Sequence, residues 1–278
     1  MSNYTRVLVP MRSTADCRVL TATVRRLIDT PESEVTLLHV AESQPWLGRN
    51  GRAVRLMSEL ELFAHRQFRE ARICRRIEWG RPADSILNVI RAARMDAVFL
   101  SAGDSARHGG ALGPIAMELL AHAPCPVVLE WAAHAPATRT RPQPVCCAIE
   151  FDGSEEDVLR EATAVAARLQ APLKLTCALS PALFGVADRD SASIALRARM
   201  TGLRDRWAPD AEMQIGAGLP ASVFSRAIRF HRAGLLVAGG SGEALLAAHS
   251  QCPALYVGPA MREALAARPA EFIAGKTA

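Results

Sequence analysis

Aromatic side chains make up only 5% of the 278 residues, and lysine is almost absent, with Lys174 and Lys276 against 31 arginines among the 33 basic residues. No stretch approaches the ~18 uninterrupted apolar residues that a bilayer span requires. Residues 1–6 lack the apolar region of a secretory signal. The protein is therefore expected in the cytoplasm, away from membranes. No Cys-x-x-Cys pair occurs among Cys17, Cys74, Cys125, Cys146, Cys147, Cys177 and Cys252, an odd set scattered through apolar surroundings. Buried reduced thiols follow from this, rather than disulfides or a zinc site. Gly-x-Ser-x-Gly, a complete Walker loop and His-Glu-x-x-His are also missing. Hydrolase and metalloenzyme chemistry thus lack a sequence warrant, and neither a catalytic residue nor a metal ligand is expected.

The net charge is +5 and the isoelectric point is near 9.0. The excess reads as arginine-rich coding bias, because basic residues alternate with acids, as at Arg66, Arg69, Glu70 and Arg72. A nucleic-acid partner is not expected.

What the chain does contain is a repeat. Arg6–Met11 and Val145–Phe151 are β-branched or otherwise apolar runs suited to buried parallel strands. Each is followed by a polar turn, Arg12-Ser13-Thr14 or Asp152-Gly153-Ser154, and then by an amphipathic helical pattern, Asp16–Asp29 or Glu155–Leu169. Further strands are predicted at Val35–Val40 and Leu173–Leu179, and longer helices at Gly51–Ala71 and Ser191–Trp207. Short strands Arg72–Glu78 and Glu212–Ala217 end in Gly80-Arg81-Pro82 and Gly218-Leu219-Pro220, where proline suits the first turn of the next helix. Helices Ala83–Arg94 and Ala221–Arg232, strands Asp96–Ser101 and Gly234–Ala238, and closing strands Val127–Leu129 and Ala254–Val257 complete the two copies.

Gly80 and Gly218 are 138 apart but Cys125 and Cys252 only 127, so the second copy has lost about ten residues between its fourth strand and fourth helix. The expected architecture is α/β, with two doubly wound five-stranded parallel-sheet domains at 1–131 and 145–259. A linker at 132–144 and a tail at 260–278, partly helical at Met261–Ala267, account for the remainder. The apolar closing strands would be open sheet edges unless paired. They are expected to pair with each other inside one chain, burying Val128 and Tyr256, and a homodimer is left open.

In such a sheet, ligands bind beyond the carboxyl ends of the strands where the winding reverses. The candidate loops are therefore those after the first and fourth strands of each copy. Gly103, Gly113 and the Gly239-Gly240-Ser241 turn supply close backbone approach, and Arg12 and Asp152 supply charge. Asp104, Arg107 and His108 make a polar loop, expected to be solvated. His122 and His249 occupy equivalent positions near helix ends, where an imidazole can satisfy carbonyls. Met57, Leu60, Leu62, Phe63 and Phe68 are assigned to the core or a domain interface.

The opening strand and turn, the Gly-x-Pro and the Ala121-His-Ala-Pro-Cys-Pro-Val127 segment resemble the universal stress protein family over about Tyr4–Val257. That resemblance implies two domains of the nucleotide-binding α-hydrolase type in tandem and a stress-response regulator or binding protein. ATP-binding members carry an acidic residue after the first strand and a Gly-x-x-Gly, nine-residue spacer, Gly-Ser/Thr loop after the fourth. Carried over, the first copy places Arg12 at the acidic position, Gly103 and Ala106 at the loop, and Gly113-Pro114 at the final step, with a spacer three residues short. Proline there removes a hydroxyl and an N–H. The second copy keeps Asp152, Gly240 and Ser241 but has lost the phosphate loop. The expected cofactor is none beyond weak ATP or AMP. Two alternatives stand beside the regulator: an ATP/AMP-binding protein with weak ATPase activity through the second domain, and a sensor of another anionic metabolite through the first-domain loop. If a nucleotide binds, the second copy is expected to hold it, with Asp152→Ala abolishing binding and Arg12→Ala not.

Overall fold

The computed structural model describes residues 4–28, 30–41, 50–68, 70–102, 112–131, 142–179, 189–240, 242, 245 and 251–266. In chain order the first half contains β1 (Arg6–Pro10), α1 (Thr14–Ile28), β2 (Glu34–Ala41), α2 (Asn50–Gln67), β3 (Arg72–Trp79), α3 (Pro82–Ala92), β4 (Ala97–Ser101), α4 (Pro114–His122) and β5 (Val127–Glu130). The second half contains β6 (Val145–Ile149), α5 (Glu155–Arg168), β7 (Leu173–Leu179), α6 (Arg189–Trp207), β8 (Glu212–Ala217), α7 (Pro220–His231), β9 (Leu235–Gly239) and β10 (Ala254–Val257), followed by α8 (Pro259–Ala266).

All ten strands form one sheet in the order β3-β2-β1-β4-β5-β10-β9-β6-β7-β8. Each half is a five-stranded parallel array, 3-2-1-4-5 and its counterpart 8-7-6-9-10. The seam is antiparallel, with Ala254 opposite Leu129, Leu255 opposite Val128 and Tyr256 opposite Val127. The two would-be edges thus satisfy each other's N–H and C=O groups. Val128 is completely buried and Tyr256 is 6% exposed.

Helices cover both faces, which is why the central strands are apolar on both sides. One core collects Leu20 and Leu27 of α1, Met57 and Leu60 of α2, Val158 and Leu159 of α5, and Met200 of α6. The other collects Ile86 and Ile90 of α3, Leu119 of α4, and Val223 and Phe224 of α7. Both cores run through both halves. A buried hydrogen bond also joins them, from the Tyr4 hydroxyl to a Glu161 carboxylate oxygen on α5. Burial, then the neighbouring Glu161, pushes the Tyr4 hydroxyl pKa well up. Within the first half, Thr23 of α1 donates to the buried Glu130 at the end of β5.

The repeat is visible in backbone angles: Gly80 and Gly218, each before its helix, have φ of 129° and 127°. Both values belong to glycine rather than to L side chains. Three expectations need correction. Helix α2 stops at Gln67, short of Ala71, because Arg72 enters strand pairing opposite Glu34. Leu62 is 61% exposed, whereas Met57, Leu60 and Phe68 are core; the Phe63 side chain lies outside the described residues. The tail helix α8 begins at Pro259, two residues before the expected Met261, and packs on α4 of the first half, where a Cβ on Gly258 would fall 2.5 Å from the Leu120 carbonyl oxygen.

Candidate functional site

The winding reverses between β1 and β4 and between β6 and β9, where Val7 pairs with Ala97 and Cys146 with Leu236. Because β5 and β10 run antiparallel, the carboxyl ends of the two halves lie at opposite edges of the sheet. The seven candidate residues therefore define two places. Arg12 and Gly113 belong to one edge; Asp152, Gly239 and Gly240 belong to the other. Gly103 and Ser241 lie outside the described residues, as do Ala106, Asp104, Arg107, His108 and His249.

At the first-half edge, Arg12 is exposed just beyond β1. Gly113 is the N-cap of α4, with φ −68° and ψ 161°, and no side chain caps that end. Its backbone is ordinary extended chain and nothing lies within 4 Å of where a Cβ would be. Pro114 occupies the first helical position, so the donor there is missing.

The second-half edge is more closely built. Three residues, 11–13, join β1 to α1, but five, 150–154, join β6 to α5. The longer turn places Phe151 and Gly153 at φ 55° and 93°. Arg12 and Asp152 are therefore not residue-for-residue equivalents. Asp152 Oδ1 accepts the Ser154 backbone N–H at 3.0 Å and the Ser154 hydroxyl at 2.6 Å. Glu155 Oε2 accepts the Gly153 N–H at 2.8 Å. Arg199 of α6 holds this arrangement from outside, 3.5 Å from Glu155 and with its guanidinium 4.1 Å from the centre of the Phe151 ring.

Strand β9 delivers Gly239 and Gly240 beside this turn. A Cβ on Gly239 would strike Val158 at 2.5 Å. One on Gly240, whose φ is 69°, would lie 2.6 Å from Asp152 Oδ2 and 2.8 Å from Glu150 Oε2. The Tyr256 hydroxyl donates to the Gly240 carbonyl at 2.7 Å, closing the turn from β10. Burial, then Glu150 and to a lesser degree Asp152, raises the Tyr256 pKa. Sequence reasoning missed Glu150 and Tyr256 as site residues; their positions at the ends of β6 and β10, next to the winding reversal, were the available signal.

Chemically, the turn is self-satisfied. A phosphate needs open N–H donors, and those of Gly153 and Ser154 already bond the protein's own carboxylates. The second oxygen of Asp152 and one further carboxyl group, Glu150, flank Gly240. At an effective dielectric of 20, like unit charges 4 Å apart repel by about 4 kcal/mol.

His122 bonds the Glu118 carbonyl one turn back through Nδ1 at 3.0 Å, a structural role. Cys125, Cys146, Cys147, Cys177 and Cys252 are buried free thiols. Burial pushes Cys125, Cys146 and Cys177 up to about 12. Among the described residues no group of three or more His, Cys, Asp or Glu side chains could hold a metal ion. No described helix is long and apolar enough to cross a membrane.

The model of the universal stress protein family matches residues 3–129, so the first half carries a domain of that family. A universal stress protein from Archaeoglobus fulgidus DSM 4304 superposes with a TM-score of 0.71 at 14% identity, over 92% of this chain and 98% of that one. A functionally unknown protein from Pseudomonas aeruginosa PAO1 gives 0.64 at 15%, over 95% and 96%. The cytoplasmic domain of a prokaryotic cation chloride cotransporter gives 0.51 at 14%, over 94% and 98%. At these identities the likeness concerns the fold, which is shared by proteins of different roles. No curated protein sequence matches the chain.

Proposed function

We propose that this chain is a tandem universal stress protein, divided at 1–131 and 145–259, that acts as a stress-response regulator or binding protein and not as an enzyme. Its nucleotide sites are degenerate. The observation that carries this reading is the occupation of the Gly153 and Ser154 N–H groups by Glu155 and Asp152. A nucleotide phosphate would have to displace both carboxylates and approach Glu150 as well. Titration calorimetry with ATP and with AMP tests the reading. Dissociation constants weaker than about 1 mM, equivalent to less than about 4 kcal/mol of binding, are expected.

One observation favours a second reading, an ATP- or AMP-binding protein with slow hydrolysis. Asp152 and Gly240 do meet at the carboxyl ends of β6 and β9, at the winding reversal where ligands of this fold class bind. On that reading, micromolar binding occurs, Asp152→Ala abolishes it and Arg12→Ala leaves it intact. On the first reading Asp152→Ala abolishes nothing, because the wild type binds nothing tightly.

A further inference from the structure

The duplication lets one copy serve as the reference for the other. Adding 138 to a residue of α3 gives its counterpart on α7, as Gly80 and Gly218 fix. In the first copy, Arg81 pairs with Asp84 at 3.5 Å and with Glu118 of α4 at 3.9 Å. That helix surface neutralises itself. In the second copy Leu219 replaces Arg81, Ser222 replaces Asp84, Arg226 replaces Asn88 and Phe230 replaces Ala92, while Arg229 matches Arg91. Leu219 is 67% exposed and Phe230 78%, the largest exposure among the large apolar side chains described. Arg226 and Arg229 are exposed as well, and neither has an ion pair among the described residues. Arg226 Nη2 instead donates to the Ala217 carbonyl at 3.0 Å, which holds its guanidinium over a groove of about 600 Å³ at the β8–α7 turn. Leu219, Ser222, Arg226 and Arg229 line that groove.

We infer that this face of α7 is a docking surface for an acidic amphipathic helix of another protein. Nothing in the packing of α7 calls for an exposed phenylalanine and leucine, since Val223, Phe224, Ala227 and Ile228 already fill its core-facing side. The substitutions remove acid and add apolar area on the same surface, so the partner must bring carboxylates and apolar anchors together. Leu219 and Phe230 are eleven residues apart, about 16 Å at 1.5 Å per residue, which matches anchors three turns apart on a facing helix. Arg226 and Arg229, between them, meet carboxylates flanking those anchors. A second copy of this chain is the wrong partner, because α7 has no carboxylate and pairing it with itself would gather four arginines at one seam without an acid. The surface lies apart from the Asp152–Gly240 turn, so the proposal stands whether or not that turn binds a nucleotide.

The test uses the full chain and a fluorescein-labelled helical peptide that carries leucine on one stripe and glutamate beside it, read by anisotropy. Its glutamine analogue and an oligothymidylate are the comparison probes. The glutamate peptide is expected to bind more tightly than the glutamine one and to weaken with added salt. Arg226→Glu with Arg229→Glu should weaken it about tenfold or more, and Phe230→Ala by about threefold or more. Arg91→Glu, the matching change on α3, should alter it less than twofold. These are exposed positions, and unchanged circular dichroism melts would confirm that the variants fold. The proposal is overturned if the glutamate peptide fails to bind or if Arg91→Glu weakens it as much as the α7 changes do. Tighter binding of the oligothymidylate, lost in the same double variant, would make the surface a nucleic-acid site instead.

Discussion

Leu255 sits at the seam, completely buried, opposite Val128 of β5 and beside Val237 of β9. Replacing it with alanine removes core atoms from a layer shared by both halves, so the loss, about 2–5 kcal/mol for a buried leucine, falls on the whole sheet. For a chain of this size, a change near 3 kcal/mol lowers Tm by roughly 5–10 °C. The assay is thermal and urea unfolding of variants that retain only Trp131, in the first half, or only Trp207, in the second. Leu255→Ala should lower both midpoints together, with coincident transitions before and after the substitution. If only the Trp207 signal moved, or if two separate transitions appeared in the parent, the halves would be independent domains touching at an edge, and the shared-core account would be refuted.

Three further predictions concern other elements. Tyr4→Phe removes a donor from the buried Glu161 across the two halves and should cost about 1–3 kcal/mol in urea unfolding. Gly240→Ala forces a Cβ to within 2.6 Å of Asp152 Oδ2 at φ 69° and should destabilise by about 1 kcal/mol or more, measured the same way. The buried thiols keep their protons in the folded protein up to about 12 for Cys125, Cys146 and Cys177, whereas unfolded thiols lose theirs near the ordinary thiol value of 9.0. Raised folded pKa values contribute stability that is fully present below the unfolded pKa and is lost as pH rises. Urea midpoints should therefore fall between about pH 9 and pH 12, and alkylation followed by mass spectrometry at pH 8 should modify Cys74 well before those three.

Much of the fold was legible because it is written twice. Val7–Val9 and Val145–Ile149 are apolar on both sides, and each Gly-x-Pro marks the same strand-to-helix turn, so agreement between copies fixed strands and helices that one copy would leave ambiguous. The seam was legible from the apolar closing strands, which had no other way to hide their edges. What escaped was local competition. Arg72 joins a strand rather than extending α2 because pairing with β2 wins over helix continuation. Leu62 fits the apolar count of α2 but falls on its outer surface. In the site, the sequence located Asp152 and Gly240 without showing where their hydrogen bonds go. That depended on a turn two residues longer than its counterpart, and on Glu155 and Ser154 folding back within it. An acidic residue beside the winding reversal reads as a ligand contact until the hydrogen bonds that it already accepts are seen.

The account rests most heavily on that claim, and amide resonances of Gly153 and Ser154 test it directly. Their chemical shifts should respond to Glu155→Gln and Asp152→Asn respectively, and should stay in place when ATP or AMP is added to about 0.1 mM, a tenth of the 1 mM threshold affinity. Saturable movement of both amides with ATP, at a dissociation constant well below 1 mM, would show that the turn opens to phosphate and would contradict the account.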